Sequence, residues 1–175
     1  MSVKENESQY LTFVINDEVY AIPITQVREV LSVPKLTHIP QMPQFMRGVI
    51  NLRSTVVPII DLRLKFGMSR TELTAETAII VIEIPTEDSV SEKEIFRVGI
   101  FADAVKKVTE IPSESIEPAP KIGLNFKTSF IFGMGKIDDN FTVILNIREI
   151  LTDEDIASGG DITEPQEADI ANTEL

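Results

Sequence analysis

The chain contains no cysteine and no tryptophan, and His38 is the single histidine among its 175 residues. Without cysteine it has no disulfide framework, no thiolate metal site and no cysteine nucleophile. One histidine cannot make a His/Cys metal centre, and His38, in Leu36-Thr37-His38-Ile39-Pro40, reads as a loop residue. A serine hydrolase would have to use His38 as its only base, and the chain has no Gly-x-Ser-x-Gly turn. Carboxylates are plentiful, but Asp61 reads as a helix cap and Asp103 as a turn residue rather than as an acid–base pair. Gly133-Met134-Gly135 lacks the third glycine and the following helix of a dinucleotide loop, so it reads as a pair of strand glycines. These absences exclude most enzyme chemistry and imply no cofactor and no metal.

Long apolar runs are also missing. No stretch approaches the ~18 residues of a transmembrane helix, and Met1-Ser2-Val3-Lys4-Glu5-Asn6-Glu7 has no apolar signal region, so a cytoplasmic protein is expected. Basic residues are absent from 152–175, which holds eight acids and carries much of the formal net charge of −12. The remainder has twenty acidic against sixteen basic residues, a net of −4. With Ser158-Gly159-Gly160 and Pro165 among its acids, the tail has too little apolar surface to offset the entropy of ordering, and disorder is expected over 155–175. Residues 1–8 are expected to be disordered as well, and the polar stretch 85–94 to be a long mobile loop. A pI near 4.5 and the lack of a basic patch argue against an oligonucleotide-binding barrel.

What the chain does have is 43% hydrophobic residues, nine Phe and two Tyr, which implies a largely aliphatic core. The most informative stretch runs from Met46 to Gly67. It reads as a strand, a polar reversal over Asn51-Leu52-Arg53-Ser54, the strand Thr55-Val56-Val57-Pro58-Ile59-Ile60, and a short helical turn opened by Asp61. The pattern recurs at an offset of 85, where Gly48 falls on Gly133, Val57 on Thr142, Ile59-Ile60 on Ile144-Leu145, Asp61 on Asn146 and Arg63 on Arg148. A second repeat, at an offset of 78, sets Tyr20-Ala21-Ile22 on Val98-Gly99-Ile100, Val27 on Val105, Val30 on Val108 and Pro40 on Pro118. Two structurally similar β-rich halves follow. Strands are expected at 10–15, 19–23, 46–52, 55–60, 78–84, 95–101, 105–111, 130–137 and 142–146. Helical turns are expected at 24–29, 61–66 and 147–151, with hairpin turns at Asn16-Asp17-Glu18 and Asp138-Asp139-Asn140. Many short strands with few helices point to small barrels or a sandwich.

Arg47-Gly48-Val49-Ile50-Asn51-Leu52-Arg53 followed by Val57-Pro58-Ile59-Ile60-Asp61-Leu62-Arg63 resembles the signature of the CheW family, the coupling proteins of bacterial chemotaxis. The likeness runs from about Tyr10 to Leu151. It includes Phe13-Val14-Ile15, Tyr20-Ala21-Ile22-Pro23-Ile24, Val27-Arg28-Glu29-Val30 and Ile116-Glu117-Pro118-Ala119-Pro120. Ser54 departs from it, since the family usually has glycine there; if that position needs φ > 0, serine costs roughly 1 kcal/mol and a different turn is expected. The resemblance implies an all-β fold of two SH3-like five-stranded barrel subdomains, intertwined and related by internal pseudo-symmetry, over 9–154.

The resemblance also implies a non-enzymatic adaptor that couples the CheA histidine kinase, through its regulatory domain, to the cytoplasmic tip of methyl-accepting chemoreceptors. From pattern alone Val27, Val30 and Leu31 read as core residues near the end of an amphipathic turn, and Glu29, Arg47 and Arg53 as solvated charges. In CheW relatives the residues matching Val27, Glu29 and Arg53 lie at the receptor-facing groove between the barrels, so the implied receptor-binding set is Val27, Glu29, Val30, Arg47 and Arg53. No residue is assigned to the kinase, because the alternation of Leu11, Phe13 and Ile15 with Thr12 and Val14 does not say which apolar side chains remain for it. The alternatives are a coupler of a non-flagellar chemosensory pathway and, in a different class, an enzyme using the groove between the barrels.

Overall fold

The computed structural model describes residues 8–85, 95–119 and 129–151. The expected disordered 155–175, nearly all of 1–8 and nearly all of the 85–94 loop lie outside them. Eleven strands are present: β1 (Gln9–Ile15), β2 (Glu18–Pro23), β3 (Val27–Ser32), β4 (Met46–Leu52), β5 (Thr55–Ile60), β6 (Ala78–Pro85), β7 (Ile95–Ala102), β8 (Ala104–Glu110), β9 (Ile116–Glu117), β10 (Ile131–Ile137) and β11 (Asn140–Leu145). The nine expected strands are among them, with ends displaced by no more than two residues. They form a six-stranded sheet ordered β8-β1-β2-β11-β10-β9 and a five-stranded sheet ordered β3-β6-β7-β5-β4.

The repeats in the sequence are repeats in space, but the repeating units are not halves of the chain. The five-stranded sheet uses the contiguous strands β3 to β7, whereas the other joins the N-terminal hairpin to everything after residue 103. Each sheet contains one parallel contact, Ile59 against Gly99 and Ile144 against Ala21, and the offsets of 85 and 78 carry the first pair onto the second. Register shifts between Met46 and Gly48 and between Ile131 and Gly133 are likewise equivalent. The repeated glycine has a steric cause. A side chain at Gly48 would lie 2.7 Å from the carbonyl oxygen of Thr37, which bridges to Val49, and one at Gly133 would lie 2.9 Å from that of Glu117.

Two expectations about local structure are corrected. The 24–29 helical turn is only a 3-10 turn over Ile24–Gln26, and the chain then extends into β3. The half-buried and exposed residues of β3 alternate strictly, and the backbone pairs with β6, so the β-branched valines win over the helical spacing. At the β4–β5 reversal no different turn replaces the glycine one: Arg53 and Ser54 both take positive φ, 50° and 67°. Asn16-Asp17 and Asp138-Asp139 make the same two-residue turn, with residue types that tolerate it better.

The apolar residues fall into three clusters. One, with Val57, Ile59, Ile79 and Phe101, belongs to the five-stranded sheet alone, and a smaller one, with Tyr10, Ala21 and Ile144, to the six-stranded sheet. The largest is shared and draws Phe13, Ile22 and Leu145 from one sheet and Ile60, Ile80 and Ile100 from the other. Tyr20 stacks between Phe13 and Phe66 with centroids 6.2 and 6.0 Å away, and Phe66 meets Phe130 at 5.2 Å.

Arg47 and Asp61 supply the polar anchor. Asp61 is fully buried and caps the Leu62–Lys65 helix by accepting from the Arg63 amide at 3.1 Å, as its place in the sequence suggested. It also accepts from Arg47 Nη1 at 2.8 Å and from the Thr71 hydroxyl and amide at 2.7 and 3.0 Å. The Arg47 side chain is only 9% exposed, also reaches the Thr71 carbonyl at 3.1 Å, and lies over the Phe101 ring. Arg47 is therefore not a solvated strand residue, because the carboxylate behind it turns it inward.

Three outcomes are expected. Arg47→Met leaves a buried carboxylate without its cation, so urea unfolding should show a loss of about 3–5 kcal/mol. Ser54→Gly removes αL strain and should raise the unfolding free energy by about 1 kcal/mol with an unchanged m-value. Burial raises the phenols of Tyr10 and Tyr20 above 10.0, and the Glu18 charge adds to the effect at Tyr20. The folded state then binds the phenolic protons more tightly than the unfolded one, so their contribution holds below pH 10 and is lost as pH rises beyond it. A denaturation series read through alkaline pH should show that decline, which Tyr20→Phe should reduce.

Candidate functional site

β3 and β4 are the two edges of the five-stranded sheet, and one ion pair joins them. Arg53, in the turn after β4, donates from Nη1 to Glu29 Oε1 at 2.7 Å and from Nη2 to Oε2 at 3.1 Å. The fork is bidentate, which fixes the orientation of the guanidinium as a lysine could not. The side chains are 66% and 21% exposed, so the pair contributes little to stability and acts mainly by holding a strained turn in place. On the same strand Val30 is 42% exposed, while Val27 is half-buried and packs against the shared core. Val27, Glu29 and Val30 thus lie on one edge strand to which Glu29 clamps Arg53, while Arg47 is paired with Asp61.

Three charged residues that the sequence reading passed over complete the surroundings. The register shift between Val27 and Glu29 leaves Arg28 as the extra residue on β3, exposed and with Nε 3.6 Å from Glu83 Oε1. Arg97 Nε donates to the same oxygen at 3.0 Å, and Glu83 and Arg97 are direct cross-strand partners in β6 and β7. Arg28, Arg53 and Arg97 surround a hollow of about 210 Å³ that is also lined by Leu52, Thr55 and Val57. The Glu83–Arg97 pairing was recoverable in principle from alternation along the two strands. It needs the hairpin register, which the long polar 85–94 connection conceals.

The six-stranded sheet has an equivalent opening of about 420 Å³. The two offsets carry Arg28, Arg53 and Arg97 onto its lining residues Lys106, Asp138 and Val19, and Leu52, Thr55 and Val57 onto Ile137, Asn140 and Thr142. The same offsets place Lys107 at the position of Glu29, so the charges of the Glu29–Arg53 pair are inverted.

On the first strand only Gln9 and Val14 are half-buried rather than buried. Leu11, Phe13 and Ile15 are all buried, as is Thr12 between them. Among the described residues the large exposed apolar side chains besides Val30 are Leu73, Ile95, Val108, Phe132 and Phe141. His38 is exposed on its loop, and Asp103 makes a clasp, accepting from Arg63 Nη2 at 2.9 Å and the Asn16 amide at 2.8 Å. No group of described residues could hold a metal ion, and no described helix is long and apolar enough to cross a membrane.

Comparison with known proteins gives one consistent picture. The family model described as a CheW-like domain matches residues 9–155. The chemotaxis protein CheW of Klebsiella aerogenes is 32% identical over 149 residues, which cover 85% of this chain and 84% of that protein. The CheW of Helicobacter pylori is 33% identical over 150 residues, covering 85% of each. The crystal structure of the scaffolding protein TtCheW from Thermoanaerobacter tengcongensis matches with a TM-score of 0.72 at 30% identity, covering 85% of this chain and 90% of that one. The two sheets of this chain agree with the SH3-like pair of subdomains that the sequence resemblance implied, and this chain belongs to the CheW family.

Proposed function

We propose that this chain is a non-enzymatic scaffold of chemotaxis signalling that couples the regulatory domain of the histidine kinase CheA to the cytoplasmic tip of methyl-accepting chemoreceptors. Membership of the CheW family supports the scaffold role, as does the likeness to the scaffolding protein TtCheW. One observation supports the receptor contact: Val27, Glu29, Val30 and Arg53 converge on one edge strand and the turn clamped to it. Val30 offers apolar surface, and Arg53 offers a guanidinium whose orientation Glu29 fixes. Arg47 belongs to this set only indirectly, because its lock on Asp61 and Thr71 stabilises the strand that leads to Arg53. A coupler of this kind needs only a different affinity for the two signalling states of its partners, multiplied over many copies.

Titration calorimetry with a receptor tip fragment and, separately, the CheA regulatory domain tests the assignment. Arg53→Ala and Val30→Asp should weaken receptor binding by about tenfold or more, which is about 1.4 kcal/mol. Both should leave CheA binding and the thermal midpoint nearly unchanged, because both residues are exposed. Val27→Asp should act in the same direction but with some loss of stability, since Val27 packs on the core. Equal loss of both partners, or wild-type receptor affinity in all three variants, overturns the assignment.

A further inference from the structure

We propose that the three-arginine hollow at the end of the five-stranded sheet is a carboxylate-binding pocket that receives an acidic side chain of the receptor segment docked on β3, with Arg28 and Arg97 as specificity determinants. The inference rests on the receptor reading above. Its basis is an imbalance of charge and donors. Arg28, Arg53 and Arg97 line the hollow, and among the described residues only two carboxylates, Glu29 and Glu83, lie against them. Glu29 occupies both Nη groups of Arg53. Arg28 and Arg97 approach one and the same oxygen of Glu83 through their Nε atoms, and among the described residues their Nη groups have no acceptor. Guanidinium donors of two side chains therefore remain for a third carboxylate, on a chain whose net charge is −12.

The size and floor of the site fit a protein side chain. About 210 Å³ with Leu52 and Val57 beneath it accommodates the methylenes of a glutamate or aspartate while its oxygens meet the arginines. The equivalent opening on the other sheet supplies the discrimination. There Arg53 is replaced by Asp138 and Arg97 by Val19, and Asp17 and Glu18 also line the opening. Three carboxylates against Lys106 and Lys107 disfavour an acidic segment, so a pseudo-symmetric protein receives this partner at one end only.

The test is calorimetric titration of a purified receptor tip fragment into wild type, Arg28→Gln/Arg97→Gln and Arg28→Lys/Arg97→Lys across a range of NaCl concentrations. A second fragment, with the acidic residues of its tip changed to their amides, completes a double-mutant cycle. The glutamine variant is expected to bind about tenfold more weakly with a flatter salt dependence, and to lose nothing further against the amidated fragment. The lysine variant should keep the salt dependence but recover only part of the affinity, and Asp138→Asn in the other opening should change neither. Wild-type affinity and salt dependence in the glutamine variant, with Val30→Asp still impaired, overturn the carboxylate pocket and leave the receptor reading standing. Failure of wild type to bind the fragment overturns both.

Discussion

Each of the two sheets has a face of aliphatic side chains that only the other sheet covers. Ile80, Ile82 and Ile100 of the five-stranded sheet meet Phe13, Ile22 and Leu145 of the six-stranded one in a cluster larger than either sheet's private core. At roughly 25 cal/mol for each Å² of apolar surface removed from water, the shared face outweighs any polar contact in the molecule, and neither subdomain is expected to fold without its partner. The chain path enforces the same dependence, because β1 and β2 must pass the whole of the other unit before β8 to β11 close their sheet. The row Phe13, Tyr20, Phe66 and Phe130 crosses this shared core, drawing members from both repeats.

Against that common frame the repeats have diverged in polar detail. The Asp61 amide bonds the Phe45 carbonyl at 2.7 Å and the Asn146 amide bonds that of Phe130 at 2.7 Å, so the backbones still agree. Their side chains do not. In one unit Asp61 is locked to Arg47 and Thr71; in the other the matching positions hold Asn146 and Phe132, and Phe132 is 59% exposed. Arg63 reaches Asp103, whereas Arg148 bonds the Pro85 carbonyl at 2.7 Å. Duplication conserved what packing and backbone pairing require and left the surface charges free to specialise.

The interaction site combines weak and strong elements for that reason. A bidentate pair between exposed side chains adds little to stability, yet it holds Arg53 in a turn whose backbone resists the required φ. The strong ion pair, at Arg47, lies behind the surface and ties the start of β4 to Asp61 and Thr71. Stability and recognition are therefore assigned to different arginines of one short motif.

Legibility followed the same division. Apolar alternation, β-branched runs and two offsets were enough for nine of the eleven strands and the two repeats, because burial on a pleated strand imposes a period that a linear sequence displays. Family likeness supplied Val27, Glu29, Val30 and Arg53, and nothing in the residues themselves separated these from ordinary core and surface positions. The sequence by itself determined the β-rich class, the duplication and the cap at Asp61. Only the tertiary structure decided which strands make up each unit, that Arg47 faces inward and that β3 is a strand. It alone brought Arg28, Arg53 and Arg97 to one hollow. Each of these depends on which strand lies beside which and in what register, and that is set by long-range packing that no local pattern records.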